Sequence, residues 1–199
     1  MNAYYDVIIV GGGPAGIFAA LELSRSRDIT VLLLEKGSDI ESRACPVQES
    51  GGTCVSCSPC NLVSGLGGAG AFSDGKLTLS PEVGGRLGEM LGRERAQELF
   101  DYVDNLYLKY GAQDTLYGIG EAVDDLKRRA SLAELRLIPV KLRHMGSERS
   151  RQVLKAMKDS ITPSIEMRFR EEAAKIIIEN NVVTGVETSK GEKLTCRYL

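Results

Sequence analysis

The chain has 199 residues, of which 43% are hydrophobic, and its formal charge is −2. It is long enough to bury a core, it has no apolar stretch that could span a bilayer, and its near-neutral balance argues against a nucleic-acid partner. No basic segment precedes an apolar one at the amino terminus, and four of the five cysteines crowd into residues 45–60. We therefore expect neither a signal peptide nor a secreted disulfide framework, and we predict a cytoplasmic protein without a transmembrane segment.

The first 35 residues predict a strand, a helix and a second strand. Residues 5–10 and 29–34 are continuous apolar runs, which is typical of parallel strands that are buried on both faces. Between them, residues 14–26 have apolar side chains at helical spacing, with Pro14 in the first turn. This order is the opening of a βαβ unit.

Three glycines and one acid in this unit predict a dinucleotide site. Gly11 allows a sharp turn after the strand, Gly13 leaves the backbone bare where a pyrophosphate approaches, and Gly16 allows the helix to pack against the strand. The first N–H groups of the helix then face the phosphates, where the helix dipole favours negative charge. Glu35 follows the second strand, where its carboxylate can accept hydrogen bonds from ribose hydroxyls.

The middle of the chain predicts a long loop and several helices. Residues 37–90 are rich in glycine and lack periodicity, and a loop of this length inside a compact domain is either functional or wrongly assigned as a loop. Helical spacing predicts helices over residues 93–110 and 119–130, and Ser147 is expected to cap another. Alternating apolar residues predict a strand over residues 134–143, and a proline inside it favours the edge of a sheet.

The carboxy-terminal part predicts four strands, of which the last three form a β-meander; they cover residues 165–169, 175–179, 182–188 and 192–198. The whole order predicts an α/β Rossmann-like fold, in which a parallel sheet plus a β-meander is interrupted by a mixed helical and strand insertion. Because nothing follows the last strand to close the sheet, we expect an incomplete sheet and a fragment of a longer chain.

The loop Gly65–Leu77 is the second candidate for a functional segment. Five glycines within eleven residues expose backbone N–H groups that can cradle an anion or approach a flat ring. Asp74 and Lys76 follow them as candidate hydrogen-bond partners of a ligand, although a structural loop with two solvated charges fits the same pattern.

The third candidate is a cysteine cluster formed by Cys45, Cys54, Cys57 and Cys60. Thiolates three residues apart can point at one centre from a tight loop. Four interpretations stay open, namely an iron–sulfur cluster, a zinc site, a redox dithiol or four free thiols. Cys196 stands apart in a predicted strand and is expected to be a packed small residue. His144 is the only histidine and is either an acid or base near a substrate or, more commonly, a structural residue.

Three stretches together resemble a known family: Asp6–Gly16 with Glu35-Lys36, the loop Gly65–Leu77, and the meander segment Val183–Thr188. They are similar to FAD-dependent oxidoreductases of the two-dinucleotide-binding-domain type, in particular the bacterial and archaeal FAD-dependent dehydrogenases related to geranylgeranyl reductases. The Gly-Gly-Pro-Ala-Gly form of the turn is typical of FAD rather than NAD sites.

The resemblance implies roles for individual residues. The FAD pyrophosphate would lie on the glycine turn, the adenosine ribose on Glu35 beside Lys36, and the adenine near the backbone of Ala173. Arg43 would reach the phosphates. The residues that the resemblance places near the flavin are Gly67, Gly68, Ala69, Asp74 and Lys76, and those at the pyrophosphate are Gly11, Gly13, Pro14, Ala15 and Gly16.

The resemblance also implies a domain division and an activity. Residues 1–85 and 163–199 would form an incomplete FAD-binding domain, and residues 86–162 an inserted substrate or cap region. We expect an FAD-dependent oxidoreductase that transfers a hydride or an electron pair to or from a small-molecule substrate, with NAD(P)H and an electron-transfer protein as candidate redox partners. The 199-residue chain alone is expected to be inactive. The alternatives are a non-catalytic nucleotide-binding fragment and an NAD-binding dehydrogenase.

Overall fold

The computed structural model describes the backbone of residues 3–199 and the side chains of these residues except Glu49. The strands are β1 (Tyr4–Val10), β2 (Val31–Glu35), β3 (Lys76–Thr78), β4 (Leu142–His144), β5 (Glu166–Phe169), β6 (Ala173–Glu179), β7 (Val182–Thr188) and β8 (Lys193–Tyr198). The helices are α1 (Pro14–Leu23), α2 (Pro46–Ser50), α3 (Leu87–Leu91), α4 (Arg93–Lys109), α5 (Glu121–Leu132) and α6 (Gly146–Ile161). A short 3-10 helix covers Gly68–Phe72.

The chain divides into two compact units. One runs from the amino terminus to Phe72 and includes Leu154–Leu199, and the other is Ser73–Val153. The predicted domains, residues 1–85 with 163–199 for FAD binding and residues 86–162 as a substrate or cap region, were defined by function, and this division stays a prediction. Within residues 3–199, none of the helices is both long and apolar enough to cross a membrane.

The first unit contains a six-stranded sheet in the order β5-β2-β1-β8-β7-β6. The pairs β5–β2, β2–β1 and β1–β8 are parallel, whereas β6, β7 and β8 pair antiparallel as a meander. This confirms the predicted α/β fold with a parallel sheet and a β-meander. All five residues of β2 are buried, as expected of an inner strand with a continuous apolar sequence.

The last strand does not lie at an open end of the sheet. Thr195 in β8 pairs with Gly185 in β7 on one side and with Tyr4 in β1 on the other. One strand therefore ends the meander and continues the parallel part of the sheet, and the sheet edges are β5 and β6. A side chain of β8, that of Cys196, is buried in the sheet core as predicted, and burial raises the pKa of its thiol.

The apolar core explains why these strands assemble. One cluster is made of side chains from four neighbouring strands, namely Tyr5, Ile8, Leu32, Leu34, Val186, Leu194 and Cys196. Helix α1 adds a second buried face through Ile17, Ala20 and Leu21. Ala20 and Leu21 follow Ile17 by three and four positions, so the three side chains share the face of the helix that is buried.

The second unit differs from the sequence prediction in several elements. Of the predicted strand 134–143, only Leu142 and Arg143 lie in a strand, β4, which pairs antiparallel with β3 in a separate two-stranded sheet. Helix α6 begins at Gly146, so Ser147 lies within the helix and is not its cap. The predicted loop 37–90 also contains short regular elements. The alternation of apolar residues thus predicted too long a strand, because the partner strand β3 has only three residues.

The core of the second unit contains a buried ion pair. The Arg143 guanidinium donates from Nε to one carboxylate oxygen of Asp104 and from Nη2 to the other, at 2.9 Å for the second bond. Arg143 is 3% exposed and Asp104 is 8% exposed. The hydrogen bonds that Arg143 donates to Asp104 raise the pKa of Arg143, and Asp114 accepts a further bond from the same guanidinium. The pair joins α4 to β4, two elements that are distant in sequence.

Candidate dinucleotide-binding site

The glycine turn between β1 and α1 has the geometry that its sequence predicts. Gly11 has a φ of +101°, and its N–H donates to the Leu34 carbonyl at 2.8 Å, so the chain turns while β1 still pairs with β2. A Cβ at Gly16 would lie 1.9 Å from the Gly11 carbonyl oxygen. Any side chain at residue 16 would therefore displace the turn, and glycine is required there for the fold itself.

Gly13 is different, because the fold does not require a glycine at this position. Its φ of −74° is accessible to other residues, and no described atom lies within 4 Å of the place that a Cβ would take. It occupies the N-cap of α1, where no described side chain caps the helix and no acid stands in the first turn. The bare backbone thus borders open space at the positive end of a helix dipole, which suits an anionic group.

Glu35 fastens the turn to two other segments. Its carboxylate is 6% exposed and accepts N–H bonds from Gly12 at 2.7 Å, from Gly37 at 2.7 Å and from Gly65 at 2.9 Å. Oε1 accepts two of these bonds and Oε2 only one, so Oε2 retains an acceptor position for a ribose hydroxyl. The predicted ribose contact stays a prediction, and the three backbone bonds are a structural role that the motif alone does not indicate.

The glycine-rich loop lies against the same turn. The N–H of Gly67 donates to the Gly12 carbonyl at 2.7 Å. A Cβ on Gly68 would come within 3.4 Å of the Gly13 Cα, and Ala69 follows as an exposed residue of the 3-10 helix. Two segments that are more than 50 residues apart in sequence therefore form one surface of backbone atoms.

Arg43 holds this loop and does not present its donors to a phosphate. The guanidinium is 2% exposed and lies over the Phe72 ring, with its central carbon 4.9 Å from the ring centroid. Each of its three nitrogens donates to main-chain carbonyls, which belong to Asn61, Leu62, Gly65, Leu66 and Gly68. The predicted phosphate contact is thus not what this geometry provides, because the donors are already engaged within the loop.

A cavity of about 360 Å³ lies at the carboxyl ends of β1, β2 and β5. This is the edge of a parallel sheet where α/β proteins bind ligands. Six of the predicted cofactor-binding residues line it: Gly11, Gly13, Glu35, Lys36, Gly68 and Ala173. Ser64, Glu171 and Glu172 also line the cavity, and the sequence prediction missed them because no local motif marks them.

Asp74 and Lys76, which were predicted to contact the flavin, lie in the second unit and form an ion pair with each other at 2.7 Å. The hydrogen bond from Lys76 lowers the pKa of Asp74. His144 is exposed at the end of β4 and packs edge-to-face on Tyr117, with ring centroids 6.5 Å apart. Their predicted roles toward a ligand stay predictions.

The predicted cysteine cluster, formed by Cys45, Cys54, Cys57 and Cys60, lies in the segment before the glycine-rich loop. All four cysteines are free thiols, with Cys54 and Cys60 exposed and Cys45 and Cys57 partly exposed. Among the described side chains, no group of three or more histidine, cysteine or acidic residues is arranged to hold a metal. Cys57 lines a separate cavity of about 510 Å³ beside Lys36. The four interpretations of these thiols therefore stay open.

The turn, the uncapped helix, the acid at the end of β2 and the cavity across three strand ends define a Rossmann-type dinucleotide-binding domain. The chain belongs to the FAD binding domain family, which it matches over residues 6–197. This confirms the predicted resemblance at the level of the family. The residues present fit FAD, because the bare face of Gly13 and the helix N-terminus open into the cavity that Glu35 lines.

The chain is also similar to individual proteins. A protein of Clostridium beijerinckii, described as uncharacterized, is 45% identical over 71 residues, which are 36% of this chain and 13% of that protein. The 3-ketosteroid-Δ4-(5α)-dehydrogenase of Rhodococcus jostii has a similar structure, with a TM-score of 0.58 at 14% identity over 98% of this chain and 44% of that one. The L-proline dehydrogenase of P. horikoshii gives a TM-score of 0.52 at 15% identity over 98% and 52%. The chain thus spans about half of these structures or less, and at such identities the likeness establishes the fold.

Proposed function

We propose that the protein carrying this chain is an FAD-dependent oxidoreductase. The observation that carries the proposal is the bare backbone of Gly13, which borders open space at the uncapped N-terminus of α1 although the fold does not need a glycine there. The fold permits other residues at position 13. A ligand that approaches the backbone explains why the dinucleotide-binding turn has a glycine there.

The residues of the first unit would divide the binding of FAD among them. The N–H groups at the start of α1, with Ala15 and Gly16 after Pro14, would face the pyrophosphate, and Oε2 of Glu35 would accept a bond from a ribose hydroxyl. The loop that Arg43 holds would keep Gly68 against the turn, so that both backbones are in place before the ligand arrives. Bound FAD supplies the transfer of a hydride or an electron pair.

The proposal gives the chemical class of the substrate and of the redox partners, and it does not identify individual molecules. We expect a small-molecule substrate in the region 86–162, NAD(P)H or an electron-transfer protein as partner, and a cytoplasmic location. The two dehydrogenases named above act on a ketosteroid and on L-proline, so the shared fold does not select a substrate.

The test compares three glycine variants of the full-length protein. Gly13→Val is expected to lose bound flavin by about tenfold or more while the melting temperature stays within about 2 °C of the wild type, because the added side chain fills the ligand's space and its Cβ has no contact within 4 Å. Gly88→Val is the matched control, since its Cβ would make only an ordinary 3.6 Å contact in the second unit. Gly16→Ala should instead reduce the folded yield.

Flavin content is measured by absorption and by mass spectrometry of the released cofactor. Wild-type protein without FAD, or Gly13→Val protein with the wild-type content, would contradict the proposal. A released nicotinamide dinucleotide would support the alternative of an NAD-binding dehydrogenase.

A further inference from the structure

The outer edge of β6 is available for pairing with a further strand. Among the described strands only β7 pairs with β6, which ends the six-stranded sheet. Natural proteins usually protect such an edge with prolines, bulges, charges or a very short strand. β6 has seven residues and no proline. Its register with β7 shifts at Ala174 and again at Thr184 of β7, so the segment Lys175–Glu179 contains no bulged residue of its own.

One face of this edge segment is apolar and exposed. Ile176 is 53% exposed and Ile178 is 60% exposed. The two side chains lie on the same face, because successive residues of a strand point to opposite faces. Ile176 is the cross-strand partner of Val186, which belongs to the buried cluster of the sheet. The apolar face of the sheet therefore continues to its edge and is open to solvent there.

The other face of the edge segment carries a symmetric pair of charges. Lys175 and Glu179 are exposed, have opposite signs, and each stands two residues from Ile177. When the segment is reversed about Ile177, each charge takes the position of the opposite one. The edge segment is thus complementary in charge to a reversed copy of itself, which is the relation that a two-fold axis creates.

We propose that this edge binds a second copy of the chain, and that the two β6 strands pair antiparallel about a two-fold axis at Ile177. Lys175 of one protomer then lies opposite Glu179 of its partner, and Ile176 lies opposite Ile178. The symmetry makes each of these pairs twice. Cross-strand pairs of opposite charge and of β-branched side chains stabilise antiparallel sheets. The exposed isoleucines, two from each copy, form one apolar stripe across the join of the two sheets.

The charges select both the register and the partner. A shift of the register by two residues places Lys175 opposite Ile177 in one direction and Glu179 opposite Ile177 in the other, so the charge pairs are lost. A strand without the same pattern meets these charges as ordinary edge protection. Because the paired segment is short, the interface is smaller than that of a stable complex, and we expect a reversible dimer with a Kd of about 10–100 µM.

Sedimentation velocity of the full-length protein, over concentrations of about 1–500 µM, tests the proposal. Lys175→Glu and Glu179→Lys each place like charges opposite one another at both ends of the join. Each variant alone is expected to raise the Kd by about tenfold or more. In an equal mixture of the two variants every facing pair is again one lysine and one glutamate. The mixture should therefore associate with about the wild-type affinity.

Two control variants make the same charge changes at exposed positions of the second unit. Lys127→Glu and Glu134→Lys should leave the Kd within about threefold of the wild type. Melting temperatures show whether each variant is folded. Hydrogen exchange locates the contact, because the amides of Lys175–Glu179 should exchange more slowly at high protein concentration. The amides of β8, which already pairs on both sides, should not change.

The outcomes separate this inference from the proposed function, because the pairing of β6 does not require FAD. A protein that dimerises as described but binds no FAD overturns only the proposed function. A protein that stays monomeric over the whole concentration range overturns the inference, since the edge is then covered by something other than a second copy. A dimer that the two charge variants do not weaken, or whose affinity the mixture does not restore, also overturns it, because a different surface or register then joins the copies.

Discussion

Replacement of Arg43 by lysine tests how the glycine loop is held against the dinucleotide turn. The buried guanidinium donates to five main-chain carbonyls, those of Asn61, Leu62, Gly65, Leu66 and Gly68. A lysine keeps the charge but has three donors on a single nitrogen, so at least two of the carbonyls lose their bond to residue 43, although the Gly65 carbonyl keeps the N–H of Gly68. The loss of one buried hydrogen bond costs about 1–2 kcal/mol, which gives a predicted loss of about 2–4 kcal/mol in the free energy of unfolding.

Urea denaturation of the wild type and the variant measures this loss, with Arg27→Lys as the control at an exposed arginine. The variant should also bind FAD more weakly, because Gly68 would no longer be held beside Gly13. If Arg43→Lys changes the free energy of unfolding as little as Arg27→Lys does, within about 0.5 kcal/mol, the carbonyl contacts do not stabilise the loop and the reasoning is refuted.

Two further predictions concern the second unit and the cysteines. Asp104→Asn should lower the free energy of unfolding by about 3–5 kcal/mol, because it leaves the Arg143 guanidinium buried without its carboxylate; the exposed Glu134→Gln is the control, and equal effects of the two would show that the pair is not needed. Cys57→Ser should abolish iron or zinc binding if the thiols hold a metal, or remove the reversible loss of two thiols on mild oxidation if they form a dithiol. Unchanged metal content and thiol chemistry in this variant, measured by elemental analysis and thiol titration, would leave only four free thiols.

The sequence alone determined the βαβ unit and its ligand class, because the requirements there are local. A buried parallel strand needs a continuous apolar run, a tight turn needs Gly11, and close packing of helix on strand needs Gly16. Each of these requirements is visible within a few residues of the sequence, and Glu35 at the end of the next strand completes the pattern. The β-meander was predictable for the same reason, because the alternation of apolar and polar residues and the short turns both depend on residues that are neighbours in sequence.

Where the sequence prediction differed from the structure, contacts between distant segments were responsible. The family resemblance implied that Arg43 reaches the phosphates, but its guanidinium is surrounded by carbonyls of residues 61–68, which no local pattern reveals. In residues 134–143 alternation predicted a strand, yet only the end of this segment meets the short β3.

The tertiary structure alone decided which residues share the cavity. Glu35 and Glu171 are 136 positions apart, and no sequence pattern indicates that the two residues are close in space. The sheet places β5 next to β2, and this pairing brings the Glu171 N–H to the Glu35 carbonyl. Strand order is set by how the apolar faces of several strands bury one another, which is a property of the whole sheet. Glu171 and Glu172 could therefore be assigned to the cavity only once the sheet was assembled.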